Sequence, residues 1–148
     1  MYERALRGFE KAWGPDHTST LDTVNTLGTL YADQGKLEKA EAMYERALRG
    51  YEKAIGAQNL IRYRPAINST WNLGLLLIAQ DKRDKAERLL TQAYINLKVL
   101  LGPSHIDVQS LQSTLEDFNR LLHSPRKIRK RDIVKHYFVN SLAKKNRH

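Results

Sequence analysis

Five histidines, sixteen carboxylates and no cysteine bound the chemistry open to this 148-residue chain. Without a thiol there is no cysteine nucleophile, no disulfide framework and no cysteine-ligated metal. The histidines are scattered, and His17 and His105 each sit in a turn that opens Gly-Pro, at Gly14 and at Gly102. That shared place points to a structural duty rather than a ligand role. No His-Glu-x-x-His, phosphate loop or nucleophile elbow is present. Gly28 and Gly35-Lys36 have the wrong spacing for a phosphate loop and no following Ser or Thr. Glu38, Glu41 and Glu45 alternate with Lys39, Arg46 and Arg49, which reads as solvated i,i+4 pairing rather than acid–base machinery. Catalysis needs residues converging on one point, and none do so here. No catalytic residue, cofactor or metal is assigned.

Charge is the second chemical signal, and it is local. Up to His123 there are 16 Lys/Arg against 15 Asp/Glu, while Ser124–His148 holds 9 against 1, so the net charge of +9 resides almost wholly in the last 25 residues. Within that tail Arg126, Lys127, Arg129, Lys130 and Arg131 form a run that suits a nuclear import signal, a phosphate-binding patch or a membrane-surface anchor. Ser124-Pro125 is a helix-start signal. Ile133, Val134, Tyr137, Phe138, Ser141 and Leu142 then share one face, so the tail also reads as an amphipathic helix that caps the elements before it. The longest apolar run, Leu73–Ala79, is far too short for a membrane span. With no leader pattern after Met1, the simplest setting is reducing and cytoplasmic, with nuclear entry through the tail as the alternative.

The elements that must position any site come from a repeat. Met1–Gly14, MYERALRGFEKAWG, recurs as MYERALRGYEKAIG at Met43–Gly56, identical at 12 of 14 positions and displaced by 42 residues. A degraded third copy, LLTQAYINLKVLLG, spans Leu89–Gly102 after a step of 46, so about four extra residues lie between the copies. A period of this size means stacked supersecondary units, each unable to bury its apolar face alone.

Apolar spacing near 3.6 predicts helices throughout. Residues 1–13 place Tyr2, Ala5, Leu6, Phe9 and Trp13 on one face, and Gly14-Pro15 stops them. Asp16, Thr18 or Ser19 can cap the next helix, whose stripe is Leu21, Val24, Leu27, Leu30 and Tyr31. The link Gln34-Gly35-Lys36 leads to a helix over Leu37–Ile55, giving an antiparallel hairpin in which Gly28, Ala40 and Ala47 allow close approach. After the link Ala57–Arg64, the pattern returns as a helix over Pro65–Gln80. Beyond the turn Gln80-Asp81-Lys82, Ala86, Leu90 and Ala93 take the places of Ala40, Tyr44 and Ala47. A last helix carries Val108, Leu111, Leu115, Phe118 and Leu122, with Glu116 in the place of Gly28, which marks an end unit.

Val24-x-x-Leu27-Gly28-x-x-Tyr31 followed by Ala40-x-x-x-Tyr44-x-x-Ala47 resembles the tetratricopeptide repeat signature. HEAT and armadillo units share the period, without an expectation of Gly and Ala at these places. The 42-residue step, Gly14-Pro15-Asp16-His17 and Asp33-Gln34-Gly35-Lys36 are similar to the kinesin-light-chain subtype. The near-identical tandem copies resemble the arrays of fungal NOD-like receptors. The resemblance is specific over residues 1–56, moderate to Gly102 and weak beyond.

That resemblance implies an all-α fold of the α-α superhelix class, with a half repeat at 1–14, repeats at 15–56 and 57–102, a terminal helix at 103–123 and the basic tail at 124–148. It implies a non-catalytic scaffold in which the first helix of each pair lines a groove for a peptide or partner segment. By register the groove residues are Asp22, Asn25, Thr26, Thr29 and Asp33, then Asn68, Trp71, Asn72, Leu75 and Ile78. Asn and Thr can bond an extended peptide, and Trp71, Leu75 and Ile78 offer an apolar seat, although an indole suits a core equally. No lysine falls within Thr18–Asp33 or Pro65–Gln80, which disfavours a clamp for a C-terminal carboxylate. Nucleic-acid binding through the tail is the rival reading. Because Met1 matches Met43, the first helix corresponds to the second of a pair. The expectation is therefore a piece of a longer receptor or adaptor array, or self-association through residues 1–13.

Overall fold

A computed structural model describes residues 1–122. Seven helices make up the described chain, with no strand among the described residues. They fall into two compact units, one from Met1 to Leu73 and one from Gly74 onward.

The first unit holds α1 (Tyr2–Trp13), α2 (Thr18–Asp33), α3 (Leu37–Ile55), α4 (Ala57–Leu60) and the first part of α5 (Arg64–Ala79). The α2–α3 hairpin is antiparallel, as its cross-links show. Thr29 bonds the Tyr44 hydroxyl at 2.9 Å, and the Tyr51 hydroxyl donates to Asp22, one pair near the link and one far from it. Leu21, Val24, Leu27, Ala47 and Tyr51 are buried between the elements, with Leu6 from α1 and Ala66 from α5. Gly28 is where the backbones need room. A Cβ there would lie 2.8 Å from Cε1 of Tyr44, closer than any carbon pair tolerates.

Two local expectations are corrected. His17, not Asp16, Thr18 or Ser19, caps α2: its Nδ1 accepts from the Ser19 amide at 3.2 Å. His105 does the same for the Asp107 amide at 3.2 Å. Imidazole here takes over the acceptor work usually left to Ser, Thr, Asp or Asn. The extra residues of the second link are also ordered. They form α4 and a following turn, seating Leu60 and Tyr63 against the core, with Tyr63 edge-on to Tyr51 at 5.3 Å.

Helix α1 leaves most of its apolar face uncovered. Of the face Tyr2, Ala5, Leu6, Phe9 and Trp13, only Leu6 is buried and Phe9 half-buried. The helix packs on α2, while Trp13 lies over Phe9 and His17, with ring centroids 5.2 Å away in each case. The Arg46–Glu10 ion pair ties α1 to α3.

In the second unit the rest of α5 leads into α6 (Arg83–Leu101), which packs on α7 (Ile106–Leu122). A Cβ at Gly74 would lie 2.7 Å from Cγ and Cδ2 of Leu90, repeating the Gly28–Tyr44 contact. The link between α5 and α6 adopts the left-handed turn that Gly35 (φ 75) gives the α2–α3 link, but through Asp81 (φ 62). Aspartate is one of the few residues that accept this region. Val108, Leu111 and Phe118 of α7 are buried and Leu115 half-buried.

Candidate functional site

The residues singled out as groove-lining on α2 differ in exposure, and two of them reach across to α3. Asp22, Thr26 and Asp33 are exposed, whereas Asn25 and Thr29 are half-buried. Several of these polar groups are already engaged. Thr26 donates to the Asp22 carbonyl at 2.9 Å, a bond within the helix. Thr29 reaches Tyr44, and Asp22 accepts from Tyr51. Partial desolvation raises the Asp33 carboxyl above its ordinary value. Burial, reinforced by the bond to Asp22, pushes the Tyr51 phenol well above its own, and burial does the same for Tyr44.

Asn25 has a different use. Its Oδ1 accepts from the Ser69 hydroxyl at 2.8 Å, so it ties α5 to α2 within the first unit. Next to Ser69 the α5 face carries Asn68, half-buried, then Trp71 and Asn72. Asn72 is only 4 % exposed. Both Trp71 Nε1–H and the Asn72 Nδ2 amide are buried donors with no acceptor among the described residues. Leaving such a group unpaired costs about 1–3 kcal/mol.

Leu75 and Ile78 belong to the second unit and are 2 % and 4 % exposed. They are buried, so in this structure they present almost no surface to a ligand. Arg126, Lys127, Arg129, Lys130 and Arg131 lie outside the described residues, as does the reading of the tail as a basic helix. Sequence reasoning missed Ser69, which aligns Asn25 with α5. Its small polar side chain between Asn68 and Thr70 gave no pattern to find it by.

Among the described residues no cluster of three His, Asp or Glu could hold a metal ion, and no helix is long and apolar enough to cross a membrane. Arg, Lys and carboxylate pairs such as Lys53–Asp16 at 2.9 Å and Arg83–Asp81 at 2.9 Å lie at the surface. In the first unit α2 and α5 carry polar side chains that are exposed or half-buried, Asp22, Asn25, Thr26, Thr29, Asp33 and Asn68.

Two family models match the chain, both described as tetratricopeptide repeat, one over residues 1–53 and the other over residues 72–107. The chain carries tetratricopeptide repeats. Its fold class is accordingly the all-α, α-α superhelix type built of adjacent packed helix pairs. Tetratricopeptide repeats generally mediate protein–protein interaction, and families built on them are typically non-enzymatic scaffolds. No curated protein matches the chain.

Proposed function

We propose that this tetratricopeptide chain is a non-catalytic scaffold that binds an extended peptide or partner segment along the α2–α5 face of its first unit. The observation that carries the reading is the polar surface of α2 and α5 in that unit, where Asp22, Thr26 and Asp33 are exposed and Asn25, Asn68 and Trp71 half-buried. An extended segment offers backbone donors and acceptors every few ångströms. Asn68 supplies a neighbouring amide, and exposed Asp22, Thr26 and Asp33 of α2 form the rim. Aspartate at two rim places favours a segment carrying Lys or Arg. The kinesin-light-chain subtype and the likeness to NOD-like receptor arrays belong to this reading as family analogies.

Panning a displayed random-peptide library against the chain tests it. Selected peptides should lose about tenfold in affinity with Asn68→Ala, the worth of one well-placed hydrogen bond. They should also quench or shift Trp71 emission in a Trp13→Phe background. Peptides that bind the Asn68→Ala and Trp71→Phe variants as tightly as the parent would place the binding surface elsewhere.

A further inference from the structure

The charge on α2 is not something the repeat requires. Asp22 and Asp33 are the only charged residues in Thr18–Asp33, and their counterparts 46 residues on are Asn68 and Ala79. Helix α5 thus forms with no carboxylate at either place. Eleven residues separate the two aspartates, about three turns, so they share one line along α2 and stand about 16 Å apart on it. Thr26 and Thr29 fall between them, all four within about 60° of one another around the axis. Asp22, Thr26 and Asp33 are exposed and Thr29 is half-buried. The result is a polar stripe with an acid at each end.

The surroundings leave both acids able to take a cation. Asp22 accepts from the Tyr51 hydroxyl, and a carboxylate has acceptor capacity beyond that one bond. Partial desolvation raises the Asp33 carboxyl above its ordinary value, so a cation set beside it meets a field less damped by water. Lys36 and Lys39, the next lysines along the chain, each stand 5.8 Å from the centre of the Tyr31 ring. Tyr31 is nine residues from Asp22, which puts it on the far side of α2. Asn25 accepts from the Ser69 hydroxyl at 2.8 Å, so α5 lies beside the stripe within the first unit.

Resting on the binding face proposed above, we infer that the stripe is a two-point reader of basic side chains. It takes an extended segment with two Lys or Arg about five residues apart, since five residues at about 3.3 Å each span the distance between the acids. One cation sits on Asp22 and the other on Asp33, while the threonines between them meet the segment's backbone. The charge supplies selection of the partner more than strength of binding.

A fluorescein-labelled peptide with two arginines five residues apart in a Ser/Ala background tests this by anisotropy at low salt. Its controls are a single-arginine version and one with the two arginines side by side. The five-spaced peptide should bind about threefold tighter than either control, the worth of one added exposed ion pair. That advantage should vanish in Asp22→Asn and in Asp33→Asn alike, because each leaves one carboxylate. Asparagine keeps an oxygen for the Tyr51 hydroxyl, and circular dichroism should show both variants folded. Side-by-side arginines that bind as tightly as spaced ones overturn the proposal, as does an advantage that survives either substitution. The binding face and the two-point reading can fail separately. Library peptides that depend on Asn68 but ignore both carboxylates overturn the two-point reading alone, whereas loss of the face shows as peptides indifferent to Asn68 and Trp71.

Discussion

Gly8 and Gly50 end the same tetrapeptide, Ala-Leu-Arg-Gly, in the middle of two helices, yet replacing each with alanine should move stability in opposite directions. Helix propensity favours alanine over glycine by about 1 kcal/mol at either position. At Gly8 nothing lies within 4 Å of the new carbon, so the whole gain is realised. At Gly50 the carbon would stand 2.3, 2.9 and 3.1 Å from Cδ2, Cδ1 and Cγ of Leu21. The entire isobutyl group is in the way, and Leu21 is fully buried, so it has no free rotamer to escape into. Overpacking of this kind costs about 1–3 kcal/mol. The net at Gly50 is thus a loss of up to about 2 kcal/mol, and the two variants should differ by about 1–3 kcal/mol. Guanidinium unfolding followed by helical circular dichroism measures the difference. Amide exchange at residues 2–13 and 44–55 checks that each effect is local, since repeat arrays can unfold in steps. Equal shifts of the same sign would refute the claim that α1 is uncovered where α3 is covered.

Other substitutions probe the remaining arguments. Asn72→Leu should stabilise the free chain by about 1 kcal/mol, by removing a buried unpaired amide; a loss of stability in denaturant melts would count against that amide being unpaired. Tyr44 and Tyr51 have phenols raised above 10.0 by burial. The folded state keeps those protons where the unfolded chain releases them, so stability is full below pH 10. It then falls by about 1.4 kcal/mol per pH unit for each tyrosine, and Tyr44→Phe should make the alkaline decline visibly shallower in pH-dependent melts. Asp81→Gly should gain about 1 kcal/mol by relieving the left-handed backbone at φ 62, read as a rise in the denaturant midpoint. Ala47→Leu should cost about 1–3 kcal/mol at a fully buried contact. Ala5→Leu, on the exposed copy, should leave the melt nearly unchanged.

The sequence by itself determined the helices, because their evidence is local. Apolar spacing and the punctuation at Gly14-Pro15, Gly35 and Gly56 placed α1, α3 and α5 within a residue or two of their observed bounds. The small residues were legible for the same reason: Gly28, Ala40 and Ala47 recur at one register, and they do lie where helices touch. The proposed binding face was legible only as a register of positions. Which members keep a surface depended on tertiary neighbours, so Asp22 and Thr26 are exposed while Leu75 and Ile78 are buried on the corresponding helix. The caps were decided in three dimensions as well, since His17 wins over Asp16 by where its ring nitrogen falls relative to the Ser19 amide. The bond from Ser69 to Asn25 joins residues 44 apart, a distance along the chain that no local pattern reports. Tyr2 and Tyr44 give the plainest case: the residues around them are the same, yet one is 41 % exposed and the other fully buried. Burial is conferred by whatever packs from outside the segment, and α3 has α2 against that face where α1 has none.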